Sequence, residues 1–251
     1  MTAEIFYDTL KQRFKQLLDD HGIGDEPVEI TCRALSPEEA IGKTKRRDFP
    51  ILTGKDIMIQ AEFRGCRGQA FTEAPLEYRG SLSEILNADL SGDPHARGLY
   101  IATLNAVMSS LGKCSGTVHC RTDGPESCAR DMHCWLREHY PDIQQITLVG
   151  YQPALLEMLS VSEYQVRVLD LNPGNIGSTR YGITVEDGEK ARKDAADWAE
   201  LILCTGSTVC NGTIVNYIDL DTEVVFFGTT LSGCAELMGL KRACFADRYS
   251  E

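Results

Sequence analysis

Apolar residues recur at helical and strand spacings along the first 111 residues. Phe6, Leu10 and Phe14 lie four apart, which is typical of an amphipathic helix. Further along, Ile57, Ile59 and other apolar residues alternate with polar ones, as in half-buried strands. The pattern predicts helices over 4–20 and 93–111 and strands over 28–32, 57–63 and 69–72. This order of elements predicts a small α+β domain.

From residue 145 the pattern becomes one of short apolar strands that alternate with helices. The predicted strands are 146–149, 166–169, 201–204, 224–227 and 243–245, and the predicted helices are 154–160, 188–198, 208–217 and 231–238. This alternation is typical of a parallel sheet covered on both faces. The predicted fold class is therefore α/β, with a small α+β N-terminal domain followed by a Rossmann-like domain with a mainly parallel sheet. The predicted divisions are 1–111, a cysteine-rich linker and helix over 112–140, and a ligand-binding domain over 141–251.

Polar and glycine-rich turns follow four of these strands. In open α/β sheets a ligand lies beyond the carboxyl ends of the strands, so these turns predict a ligand site. The candidate ligand-binding residues are Gly150, Tyr151, Asp170, Asn172, Thr205, Gly206, Ser207, Asn211, Gly228 and Thr229. For any one turn the alternative is ordinary turn and helix-cap chemistry, which every such loop needs.

Asp170 stands twenty residues beyond Gly150, the spacing of the acidic residue that binds a ribose in dinucleotide-binding folds. The loop after Gly150 reads G-Y-Q-P and lacks the further glycines of that motif. This favours a nucleoside such as S-adenosylmethionine over NAD. The alternative role of Asp170 is to cap a turn or helix.

Four cysteines in the linker have the spacing C-x5-C-x7-C-x5-C. Thiolates and imidazoles select transition metals or iron–sulfur clusters. The candidate metal ligands are Cys114, Cys120, Cys128, Cys134 and His119. The alternative is that they are reduced structural cysteines, because the spacing is not that of a zinc ribbon or a ferredoxin. Cys210 is a separate candidate ligand or nucleophile, since a helix N-terminus can lower the pKa of a thiol.

The chain carries a formal net charge of −12 and ten cysteines. A surface with this much negative charge disfavours nucleic acid and anionic membranes as partners. No stretch has the apolar length of a membrane span, and no signal peptide is evident, so a cytoplasmic location with reduced cysteines is expected. The expected partner is a small molecule or a metal ion. The oligomeric state stays open, a homodimer included.

Residues 205–213 read T-G-S-T-V-C-N-G-T. This run resembles the T-G-S-T-x-x-N-x-T signature of the heavy-metal chelatase family, a former domain of unknown function. The turn at 228–230 is similar to the G-P-S segment of that family, with Thr229 where proline is usual, and Asn105-Ala106 looks like its N-A element.

The resemblance implies an N-terminal domain like that of enolase, a Rossmann-like C-terminal domain and a site in the cleft between them. It adds Asn105 to the candidate ligand-binding residues. Three functions stay open: metal binding or insertion into an organic chelator, binding or transfer chemistry on a nucleoside-type ligand, and a non-catalytic sensor or scaffold.

Overall fold

The computed structural model describes residues 1–23, 29–53 and 57–250, which are organised around two β-sheets. The helices are α1 (Ala3–Asp20), α2 (Pro37–Ile41), α3 (Leu82–Leu86), α4 (Pro94–Ser110), α5 (Gly124–His139), α6 (Pro153–Ser160), α7 (Arg192–Trp198), α8 (Thr208–Asn211) and α9 (Ser232–Met238). The strands are β1 (Glu29–Leu35), β2 (Ile57–Phe63), β3 (Cys66–Thr72), β4 (Tyr78–Ser81), β5 (Gln145–Val149), β6 (Gln165–Asp170), β7 (Thr179–Arg180), β8 (Ile183–Asp187), β9 (Leu201–Thr205) and β10 (Glu223–Phe227).

The first sheet has the strand order β3-β2-β1-β4, and every neighbouring pair is antiparallel. Helix α4 packs against β2 and β3. Gly68 allows this close approach, because a Cβ atom there would lie 2.2 Å from the backbone nitrogen of Ala106. Strand β4 was not predicted, since Y-R-G-S shows no apolar alternation.

The second sheet has the order β10-β9-β5-β6-β8-β7. Its first five strands are parallel to their neighbours, and β7 pairs antiparallel with β8. The predicted α/β fold class, with a small antiparallel sheet and a second, mainly parallel one, is confirmed.

Three details of the predicted second half are wrong. Strand β8 was missed, because I-T-V-E-D reads as a polar loop. The predicted strand at 243–245 reduces to one parallel bridge between Phe226 and Arg242. The predicted helix over 208–217 breaks at Gly212, whose left-handed φ of 84° ends α8 before a 3-10 turn follows.

One hydrophobic core joins the two sheets. Phe6 and Tyr7 of α1 and Leu104 of α4 are buried in the same apolar cluster as Val209 and Cys234 of the second half. The predicted domain boundaries at residues 111 and 141 therefore separate residues that share one core. The division into domains stays a prediction. Within the described ranges, no helix combines the length and the apolar character needed to cross a membrane.

Candidate functional site

The order of the parallel strands creates a crevice between β5 and β9. The chain runs from β5 to β6 and β8 on one side, and then crosses to β9 on the other. The loops that follow β5 and β9 consequently diverge, and such a divergence is where open α/β sheets bind ligands. Gly150 makes the crevice narrow: its φ is 87°, and a Cβ atom there would lie 2.6 Å from Cγ2 of Thr205.

A cavity of about 580 Å³ opens at this edge of the sheet. The loops after β5, β6, β9 and β10 form one wall of the cavity. Residues of the first half, including Phe49, Phe71 and Arg97, line the rest. Ten of the eleven predicted ligand-binding residues line the cavity: Gly150, Tyr151, Asp170, Asn172, Thr205, Gly206, Ser207, Asn211, Gly228 and Thr229. The predicted turns thus meet in one place. Their contact with a ligand stays a prediction.

Asp170 ties the first two loops together. One carboxylate oxygen accepts a hydrogen bond from the backbone N–H of Tyr151 at 2.8 Å, and the other accepts from that of Asn172 at 2.6 Å. These bonds match the turn-capping alternative for this residue. Each oxygen keeps a further lone pair on the cavity wall.

The loop after β9 is held by its own hydroxyl and amide groups. The Thr208 hydroxyl donates to the Thr205 carbonyl at 2.8 Å, and the Asn211 amide oxygen accepts from the backbone N–H of Thr213 at 3.0 Å. Gly206 lies where a Cβ atom would be 2.8 Å from Cβ of Leu231. The T-G-S-T-x-x-N-x-T residues therefore build the shape of this loop through contacts within it.

The loop after β10 is anchored to the first sheet. The Thr230 hydroxyl accepts a hydrogen bond from the backbone N–H of Phe71 at 3.0 Å. Thr229 is 1 % exposed, and its hydroxyl has no hydrogen-bond partner among the described residues. A buried hydroxyl without a partner is costly, so this group on the cavity wall is suited to a polar ligand atom.

Asn105 joins the halves of the chain from behind the cavity. It is fully buried, and its amide nitrogen lies within 3.2 Å of the carbonyl oxygens of Gln69, Thr229 and Thr230. Its amide oxygen accepts from the backbone N–H of Gly233 at 2.8 Å. Unlike the other ten residues it does not line the cavity, and its hydrogen-bonding capacity is used within the protein.

The cysteines predicted as one metal set are separated. Cys120 and Cys128 line the cavity, whereas Cys114 and Cys134 do not, and Cys134 is exposed on α5. Across the described residues, no three or more His, Cys, Asp or Glu side chains form a ready metal site. The spacing of six residues already places Cys128 and Cys134 on different faces of α5, and the structure shows that Cys134 is the exposed one.

Cys244, which was not predicted, lies beside Cys120 and Cys128 on the cavity wall. The neighbouring Cys128 thiol, together with burial and the nearby Cys244, raises the pKa of Cys120 well above its usual value. Burial also raises the pKa of Cys244, although the charge of Arg242 and the backbone N–H groups of Ala246 and Gly228 oppose the rise. The sequence signal that could have placed Cys244 at the site was its position within the last predicted strand, 243–245.

His119 lines the same wall. Its Nδ1 donates to the Cys120 carbonyl oxygen at 2.6 Å, which leaves Nε2 as the unprotonated nitrogen. Burial lowers the pKa of this imidazole, and the hydrogen bond to Cys120 opposes that change only in part. His119 is therefore neutral at physiological pH and can act as a ligand.

Comparison with known proteins identifies part of the chain. Residues 136–241 match the family DUF364, described as "Putative heavy-metal chelation". The matched segment covers less than half of the chain. The resemblance inferred from residues 205–213, which lie inside the segment, is thereby confirmed.

A crystal structure of a DUF364-family protein of unknown function from Pyrococcus horikoshii has a similar fold. The two chains are 16 % identical, the alignment covers 90 % of this chain and 79 % of the other, and the TM-score is 0.54. At this identity the likeness supports the fold alone. A search of curated proteins finds no significant match.

One thiol of the DUF364 segment does not behave as expected. The helix N-terminus was expected to lower the pKa of Cys210, but burial raises it to about 12, and the charge of Arg97 opposes the rise only partly. A helix of four residues contributes little dipole, so burial dominates. Cys210 is therefore a buried thiol rather than an activated nucleophile.

Proposed function

We propose that this protein binds a soft heavy-metal ion in the cavity, together with a small organic chelator. The observation that carries the proposal is the contact between the Cys120 and Cys128 thiols on the wall of a cavity that four polar loops also line. The description of the DUF364 family as one of heavy-metal chelation supports the same class of function.

The sulfur atoms suit a soft ion. Thiolates prefer Cu(I) and similar ions over hard cations such as Mg²⁺. A Cu(I) ion is satisfied by two thiolate sulfurs, so Cys120 and Cys128 are sufficient protein ligands. Cys244 and His119 line the same cavity, but with these two thiols they do not form a ready three-ligand group among the described residues.

The remaining space suits an organic molecule. A volume of about 580 Å³ falls within the range of small-molecule pockets, about 300–1,000 Å³. The unpartnered Thr229 hydroxyl and the outer lone pairs of Asp170 offer it polar contacts. A chelator held there would share the coordination of the ion with the thiols.

Metal binding must release protons from the thiols. The raised pKa of Cys120 means that this thiol is protonated at neutral pH, and its proton passes to the buffer when the metal–sulfur bond forms. The apparent affinity for a soft ion should therefore rise with pH between about 6 and 9.

The proposal is tested by anaerobic titration of Cu(I) against a colorimetric Cu(I) chelator. We expect about one Cu(I) per chain, and at least about 100-fold weaker binding in Cys120→Ser and Cys128→Ser, since removal of one of two ligands costs about 3 kcal/mol or more. Cys134→Ser is the matched control, because Cys134 lies on the same helix as Cys128 but faces solvent. Equal weakening in all three variants, or no binding to the wild type, would refute the proposal.

A further inference from the structure

A second cavity adjoins the first and has a different character. Its volume is about 490 Å³, and it shares Pro50, Tyr151, Asn172 and Asn175 with the first. Its other lining residues are Arg47, Asp48, Gly174 and Arg180. The shared residues make it a side chamber at the edge of the proposed ligand site.

Arg180 forms no ion pair with the residues that the structure describes. Its guanidinium lies over the Tyr151 ring, 5.6 Å from the ring centroid, and its Nε atom is buried without a hydrogen-bond partner. Among the ion pairs formed by the described residues, none includes Arg180 or Arg47. A partly buried guanidinium that lacks a partner favours the binding of an anion.

Asp48, the acidic residue on the chamber wall, is paired with a third arginine. Both oxygens of Asp48 accept hydrogen bonds from the neighbouring Arg46, at 3.0 and 3.1 Å, and one also accepts from Tyr181. Glu157 and Glu126 likewise pair with Arg46. Of these four paired residues only Asp48 lines the chamber, so the charged groups on its wall are two arginines, Arg47 and Arg180, and one carboxylate that is bound to Arg46.

We infer that this chamber binds the carboxylate or phosphate group of an anionic ligand, with Arg180 as the principal contact and Arg47 as the second. The planar guanidinium fits either group through paired N–H donors. The inference builds on the proposed function in one respect: the chelator in the main cavity would be an anionic one, anchored here while its donor atoms reach the thiols.

The test uses metal-free protein and two probes, citrate for carboxylates and pyrophosphate for phosphates, in isothermal titration calorimetry at low salt. We expect the wild type to bind one of the two probes more tightly than the other. The probe with the higher affinity identifies the class of anion. Arg180→Gln should weaken that binding at least tenfold, and Arg47→Gln should weaken it severalfold. Arg180→Lys keeps the charge but loses the paired donors, so its affinity should fall between those of the wild type and Arg180→Gln.

Arg137→Gln is the charge-matched control, because Arg137 is 68 % exposed and lines neither cavity. It should bind the probes as the wild type does. No binding of either probe by the wild type, or equal weakening by Arg137→Gln and Arg180→Gln, would overturn the inference. Thermal melting of each variant separates lost binding from lost folding.

The two proposals fail separately. Arg180→Gln should bind Cu(I) as tightly as the wild type, and Cys128→Ser should bind the anionic probe as tightly as the wild type. Wild-type protein that binds Cu(I) but neither anionic probe refutes the chamber alone, and wild-type protein that binds an anionic probe but no Cu(I) refutes the thiol site alone.

Discussion

A Cβ atom on Gly150 would lie 2.6 Å from Cγ2 of Thr205, so the loops after β5 and β9 meet at a point where only a hydrogen atom fits. We predict that Gly150→Ala lowers the free energy of unfolding by about 2–4 kcal/mol, as the sum of a left-handed backbone penalty and overpacking. Gly177→Ala is the control, because Gly177 has a φ of 79° but nothing within 4 Å of its Cβ position. Gly177→Ala should lower the free energy of unfolding, measured by urea unfolding, by only about 1 kcal/mol. Equal losses would show that the close approach has no energetic weight.

Asn105 should be a stability residue rather than a ligand contact. We predict that Asn105→Ala lowers the free energy of unfolding by about 2–4 kcal/mol, because three buried carbonyls each lose a hydrogen-bond donor and the Gly233 N–H group loses its acceptor. Asn87→Ala, at an exposed helix end, should change it by less than about 1 kcal/mol. A small loss in Asn105→Ala, measured by denaturant unfolding, would contradict the role of this residue at the junction.

Arg46 links the first half of the chain to the second. It pairs with Asp48 on its own side and with Glu157 at 2.5 Å across the junction. We predict that Arg46→Gln lowers the free energy of unfolding by about 1–3 kcal/mol, since the side chain is only 13 % exposed but its partners are partly solvated. Lys43→Gln removes an exposed ion pair with Glu38 and should cost less than about 0.5 kcal/mol. Similar melting temperatures for the two variants would contradict this prediction.

His119 should make the protein less stable in mild acid. Burial lowers its pKa in the folded state below the ordinary value of 6.5. Below that pH the unfolded chain therefore binds more protons at this residue than the folded protein does. The free energy of unfolding should therefore fall as the pH drops below about 6.5, and be unaffected by this residue above that pH. Urea unfolding between pH 5 and pH 8 should show that the free energy of unfolding falls less steeply with decreasing pH in His119→Gln than in the wild type. The exposed His21→Gln serves as control, and a slope that matches the wild type in His119→Gln would count against a buried neutral imidazole.

Local patterns predicted much of the fold and the site. The apolar runs of β5, β6, β9 and β10 are strong signals because these strands are covered on both faces, and parallel strands necessarily bring their following turns to one edge. Residues that depend on long-range packing were not predictable in this way. Folding brings Cys244 beside Cys120 and Cys128, and it places Arg47, from the loop after α2, on the wall of the same chamber as Arg180 of β7. Helical periodicity does place Cys128 and Cys134, six residues apart, on different faces of α5, but it does not tell which of the two faces solvent; that follows from what α5 packs against.

The central claim is that the thiols on the cavity wall bind a soft metal ion. Its most direct test is anomalous diffraction from anaerobically grown crystals of protein loaded with one equivalent of Cu(I). The account predicts one copper peak within bonding distance of the sulfur atoms of Cys120 and Cys128. A peak at the exposed Cys134, or at any position outside the cavity, would contradict it.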